Sequence, residues 1–225
     1  MPLQRTHDIV PAVMDCYCNR MPIHYFFGYY FISFIASLQL QDTLYEPKFY
    51  LGAIGGWYMA DFVSYFMHMF IDSSLYTKLL ESSPRGVHAI VDTHHIHPLN
   101  YSLLLEHELI SLCYPILFPV LIIMMFLEWQ HYISNPVYSM YAGFKISLIV
   151  WSLLGGHIHK WVHERHVRPD LPWIIKKMQD YRIILWHDAH NKHHQTFDCQ
   201  FSLVNGYSQL ILDPIYNWFQ RKHVY

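Results

Sequence analysis

The stretch 49-FYLGAIGGWYMADFVSYFMHMFI-71 carries one charge, Asp61, in a run otherwise apolar and long enough to cross a bilayer as a helix. Its polar residues are not scattered. Asp61, Tyr65, His68 and Asp72 are spaced four, three and four apart, so a helix displays them as one stripe. Ionisable groups inside a span usually mark function, because burying them in lipid is costly. Asp72 also reads as a plain terminal residue of the helix, and Asp61 as a group that orients a ligand.

Outward from this stretch, residues 109–127 (LISLCYPILFPVLIIMMFL) contain no charge and form the strongest span. Residues 22–40 are aromatic-rich and mostly apolar. Residues 137–158 make a fourth, whose Lys145 has a stem long enough to snorkel to an interface. Composition agrees: 53% of residues are hydrophobic and 14% charged, against about a quarter charged in soluble domains. The mean hydropathy of +0.11 is modest, as expected of apolar spans joined to a large polar part.

Four spans place residues 1–21, 72–108 and 159–225 on one side. Every basic residue except Lys48 and Lys145 falls there, which by the positive-inside rule makes that side cytosolic. The fold expected is all-α: a multi-pass membrane protein with four transmembrane helices and a cytosolic, His-rich helical cap. Residues 1–21 form an N-terminal cytosolic segment, and 22–225 a single domain without internal repeats. Pro169 and Pro172 interrupt the cap's helical pattern, and Asn205-Gly206 marks a turn. Trp173, Ile174, Ile175, Trp186, Trp218 and Phe219 are suited to the membrane interface. A net charge of −2 excludes a basic field for nucleic acid. Cys16, Cys18, Cys113 and Cys199 make no CxxC pair, in keeping with a reducing compartment. The N-terminus, with Asp8 and Asp15, lacks the pattern of a cleaved signal.

Eighteen histidines are the anomaly. Beyond His68 they form three clusters. In His94-His95-Ile96-His97 the adjacent histidines point about 100° apart on a helix while His94 and His97 share a face, so two ions could each take one. A surface His-rich loop is the other reading. His159 and His163 are an i, i+4 pair able to clamp one ion. Lys160 stands where a zinc protease would carry its catalytic Glu, which disfavours that chemistry. His187, His190, His193 and His194 lie within a sector of about 120° if helical. His107 and Glu108, at the start of the third span, suit a ligand or an orienter of one. These clusters sit at span ends or in the cap, on one side. Many imidazoles with almost no cysteine favour a redox di-iron site over structural zinc.

The motifs resemble the Kua family, the lipid desaturase domain found in plasmanylethanolamine desaturases and in a plant plastid acyl-lipid desaturase. Asp61-Phe62, Ser64, His68 and Asp72 stand in its D-F-x-S-x-x-x-H-x-x-x-D pattern, and His94-His95-Ile96-His97-Pro98 in its H-H-x-D-P. His159-Lys160-Trp161 and His163 keep its H-K-W-x-H intact, Gln179-Asp180 followed by paired histidines resembles the next motif, and Leu212-Asp213 its closing LD. The chain departs from the pattern at His97, Ala189 and Tyr181-Arg182, with His187 or His97 a substitute ligand.

The resemblance implies two iron ions, O₂ as cosubstrate, an electron donor such as cytochrome b5, and a membrane lipid, either an ether phospholipid or an acyl lipid. The ligand set expected is His68, Asp72, His94, His95, His159, His163, His190, His193 and His194. Asp61, His97, His107, Glu108, Asp180 and His187 are further ligands or groups that orient a ligand. The location implied is the endoplasmic reticulum. The rival readings are a lipid hydroxylase, an inactive metal-binding scaffold, and zinc transport, which the wholly apolar third span disfavours.

Overall fold

A computed structural model of the chain describes residues 44–72, 95, 99, 120, 123, 124, 126, 135–196 and 199–223. Every regular element among them is a helix: α1 Pro47–Ile71, α2 Asn135–Glu164, α3 Trp173–Asp180, α4 His187–Thr196 and α5 Gln209–His223. The expected span at 22–40 lies outside the described residues, and of 109–127 only Val120, Ile123, Met124 and Phe126 are described, all of them helical. Among the described ones, Tyr138–Glu164 is the helix long and apolar enough to cross a membrane. α1 has the length, about 37 Å at 1.5 Å per residue, but Asp61, His68 and its tyrosines lower its hydropathy.

α1 begins with Pro47 in its first turn, where a missing N–H costs nothing, and its end is capped by the Asp72 N–H donating to the His68 carbonyl. It lies against α2, and the two run parallel. Ser139 donates to Glu46 Oε2 at 2.6 Å, the Trp57 and Trp151 rings are 6.5 Å apart, and His68 meets His159 at 5.7 Å, so positions rise together along both helices. The backbones touch: a Cβ at Gly52 would fall on the Met140 carbonyl, and one at Gly143 on the Phe49 carbonyl. Gly52-x-x-x-Gly56 is the small-residue pattern that lets membrane helices approach closely. α1 also exposes Tyr50, Ile54, Tyr58, Phe62, Phe66 and Phe70, an apolar stripe at i, i+4 spacing that winds round the helix.

Beyond Glu164 the chain turns through Pro169 and Pro172 into α3, as the two prolines predict. Ile158 and Val162 of α2 pack with Ile184, Leu185, Ala189 and Val204 in one buried cluster. Ile175 and Trp186 pack, partly buried, against that cluster, whereas Trp173, Ile174, Trp218 and Phe219 are exposed. Lys145 does not snorkel. It is buried, with its ammonium 5.8 Å from the centre of the Tyr141 ring.

The segment 199–208 threads between α4 and α5 and is held by α1. Asp61 Oδ1 accepts from the N–H groups of Val204, Asn205 and Gly206 at 2.8–3.1 Å, and Oδ2 from Ser208 at 2.9 Å. Successive backbone N–H groups thus form an anion nest around a fully buried carboxylate. Gly206 has φ +76°, and a Cβ there would meet the Trp186 ring, so the turn expected at Asn205-Gly206 needs its glycine twice over.

Candidate metal centre

Two groups of metal-ligating side chains converge where α1, α2 and α4 meet. His159, His163, His190 and His194 form one; His68, Asp72, His95 and His193 form the other. In each, one ligand atom per residue lies within 4.8 Å of all the others. That spread is on the scale set by nitrogen and oxygen ligands about 2.0–2.2 Å from a shared ion.

The first group is built from local spacing. His159 and His163 stand one turn apart on α2, and His190 and His194 one turn apart on α4. His190 is the hub, its Nε2 lying 2.7 Å from that of His159, 3.1 Å from His163 and 3.0 Å from His194. Burial and the surrounding imidazoles hold His190 well below the ordinary histidine pKa and lower His194 to about 3. Both rings are therefore neutral at pH 7, as metal ligands must be.

The second group is built from distant segments. Asp72 Oδ2 lies 3.2 Å from His68 Nε2, 3.5 Å from His95 Nε2 and 3.1 Å from His193 Nε2. His68 donates through Nδ1 to the Phe201 carbonyl at 3.0 Å, and His193 through Nδ1 to the Cys199 carbonyl at 2.9 Å. A carbonyl can only accept, so Nδ1 carries a proton in each ring, and the neutral form of either presents an Nε2 lone pair. Those lone pairs point at a carboxylate oxygen. Acceptors facing acceptors repel unless a cation lies among them, so this donor set fits a metal ion. Imidazole with carboxylate suits iron among the candidates, and fixing a ligand's tautomer through a backbone carbonyl is how proteins support such ligands.

The two groups adjoin. The His68 ring is 5.7 Å from that of His159 and 6.0 Å from that of His190. Helix α4 supplies both: His190 and His194 face the all-histidine group, while His193, rotated about 100° from His194, faces the carboxylate group.

Three expected contributors are placed elsewhere. Asp61 gives its carboxylate to the 204–208 amides and stands in neither group. Asp180 pairs with Arg165 at 2.6 Å near the surface. His187 hydrogen-bonds through Nδ1 to the Val162 carbonyl and packs against His166, because seven residues of helix carry it about 10 Å along the axis from His194. Ala189, at a departure from the family pattern, is buried in the apolar cluster. His94, His97, His107 and Glu108 lie outside the described residues.

The supporting shell was not evident from residue types. Backbone carbonyls of Cys199 and Phe201 fix two ligands, and Ser64, which accepts from the Leu203 N–H, ties the same segment to α1. The D-F-x-S motif held the signal for Ser64, and the LD pair that for Asp213, whose carboxylate accepts from Gln200.

The helical fold brings together two histidine-rich groups that could hold metal, and the family is definite. Residues 57–223 match the lipid desaturase domain, and the chain belongs to that family. It is a lipid desaturase by domain. No curated protein and no solved structure matches it.

Proposed function

We propose that the chain is a multi-pass membrane desaturase that uses two iron ions and O₂ to place a double bond in the hydrocarbon part of a membrane lipid, most specifically the O-alkyl chain of an ether phospholipid. The observation that carries this reading is the adjacency of two four-ligand groups, one all-histidine and one with Asp72. When bound, iron with O₂ and electrons supplies an oxidant able to take hydrogen from an unactivated C–H bond. His159, His163, His190 and His194 would hold one ion; His68, Asp72, His95 and His193 the other. His94 remains a further ligand on the strength of the resemblance. The chain's own contribution is to aim these imidazoles and shield them from water.

Two features favour the membrane. α1 and α2 run parallel with glycine-mediated backbone contact, so the chain between them must return the length of the pair, and residues 109–127 are suited to that return. The apolar stripe along α1 would face lipid or another span. The resemblance to the Kua family supports cytochrome b5 as electron donor and the endoplasmic reticulum as location.

The test is expression with ether and diacyl phospholipids supplied and an active electron donor, followed by lipidomics beside H159A and H163A controls. A vinyl ether product lacking a hydrogen pair supports the proposal. Gain of an oxygen atom would make the enzyme a hydroxylase, and unchanged lipids despite bound iron would defeat the catalytic reading.

A further inference from the structure

Gln200 is one of two non-glycine residues with positive φ among the described ones, at +60°. That conformation is uncommon without glycine and persists where surroundings enforce it. Asp213, from the second turn of α5, is the enforcing group: the Gln200 N–H donates to its Oδ1 at 3.0 Å and its Oδ2 at 3.1 Å, and the Tyr65 hydroxyl donates to Oδ1 at 2.8 Å. On either side of Gln200 stand Cys199 and Phe201, whose carbonyls receive the Nδ1 protons of His193 and His68. The two rings sit 4.5 Å apart. One clamped residue therefore aims two neighbouring carbonyls at two imidazoles of the same group.

We propose that Asp213 is a positioning residue for the carboxylate-bearing metal site: by fixing the Gln200 amide it holds the Cys199 and Phe201 carbonyls in place and so keeps His193 and His68 in the tautomer that offers Nε2 to the ion. The two carbonyls reach His68 and His193, both of the carboxylate-bearing group, so the effect is expected at that site. Tyr65, in the ligand stripe of α1, orients Asp213 and has no direct part in metal binding. This proposal rests on the two-ion reading above.

The test is titration of the purified full-length chain, stripped of metal, with ferrous iron under anaerobic conditions. The H163A background removes the all-histidine site and reports the carboxylate site; the D72A background does the reverse. In H163A, adding D213N is expected to weaken iron binding about 10- to 100-fold, the range for outer-shell partners of metal ligands. In D72A, adding D213N leaves affinity unchanged. Should D213N not fold, Y65F, which keeps both Asp213 contacts to Gln200, gives a smaller loss with the same site preference. Equal weakening in both backgrounds, or none in H163A, overturns the proposal. Wild-type protein that binds no iron would instead remove the functional reading beneath it.

Discussion

The two metal-ligand groups reach similar geometry by opposite routes. The all-histidine group needs two helices and two i, i+4 pairs, so its geometry is nearly complete once α2 and α4 form. The carboxylate group takes His68 and Asp72 from α1, His193 from α4 and His95 from the segment between α1 and α2. Its rings are further set by carbonyls of a loop that α1 and α5 hold. The difference teaches that one site depends mainly on local helix spacing and the other on tertiary support.

The largest effect that would break this comparison is at its hub. H190A should remove iron from the all-histidine site and lower desaturation more than about 100-fold, since even outer-shell losses cost 10- to 100-fold. Iron per chain, by mass spectrometry, should fall from two to one. D72A should remove the other ion while the all-histidine site keeps its own; loss of both would mean the sites are not separable.

Asp61 should act on the fold and through it on the carboxylate site. D61A strands four buried N–H groups, each worth about 1–3 kcal/mol when unsatisfied, so the melting temperature in detergent should fall steeply. A D61A protein of unchanged melting temperature would contradict the nest.

Acid should sharpen the contrast more gently. His190 and His194 have lowered pKa values in the folded chain, so below the ordinary value near 6.5 the unfolded chain binds more protons. Stability of the metal-free protein should therefore fall as pH drops from about 6.5 toward the folded value, about 3 for His194. For fully buried His190 the slope is at most about 1.4 kcal/mol per pH unit. Denaturant midpoints at pH 7 and 5 measure it, and a flat profile would show that neither ring is neutral by burial.

The smallest effects belong to residues near the motifs but outside both groups. H187A and D180N should leave iron content at wild-type level, D180N losing an exposed ion pair worth about 0–1 kcal/mol. A fall in iron content for H187A would return it to the ligand set.

Helical spacing made much of the site legible. The Asp61–Tyr65–His68–Asp72 stripe, the His159/His163 pair and the crowded 187–194 segment are all functions of a 3.6-residue period. The same period explains a limit: a sector of histidines does not reveal which ring faces which ion, so His193 and His194 part company and His187 drops out along the axis. Asp61 and Asp72 look alike in the stripe, yet one meets backbone amides and the other imidazoles. The Gly52/Gly56 spacing does not reveal that these glycines meet the Met140 and Phe144 carbonyls of α2, or that Gly143 meets Phe49 in return.

By itself the sequence determined helices, a set of histidines able to bind metal and membership in an ordered family pattern, because residue type and local period fix these. Tertiary structure alone decided the parallel pairing of α1 with α2, the division of ligands into two groups, and the capture of Gln200 by Asp213. Those depend on where backbone N–H and C=O groups end up after packing. Every residue other than proline carries the same two groups, so no one-letter code distinguishes the carbonyls that aim a histidine from those that do not.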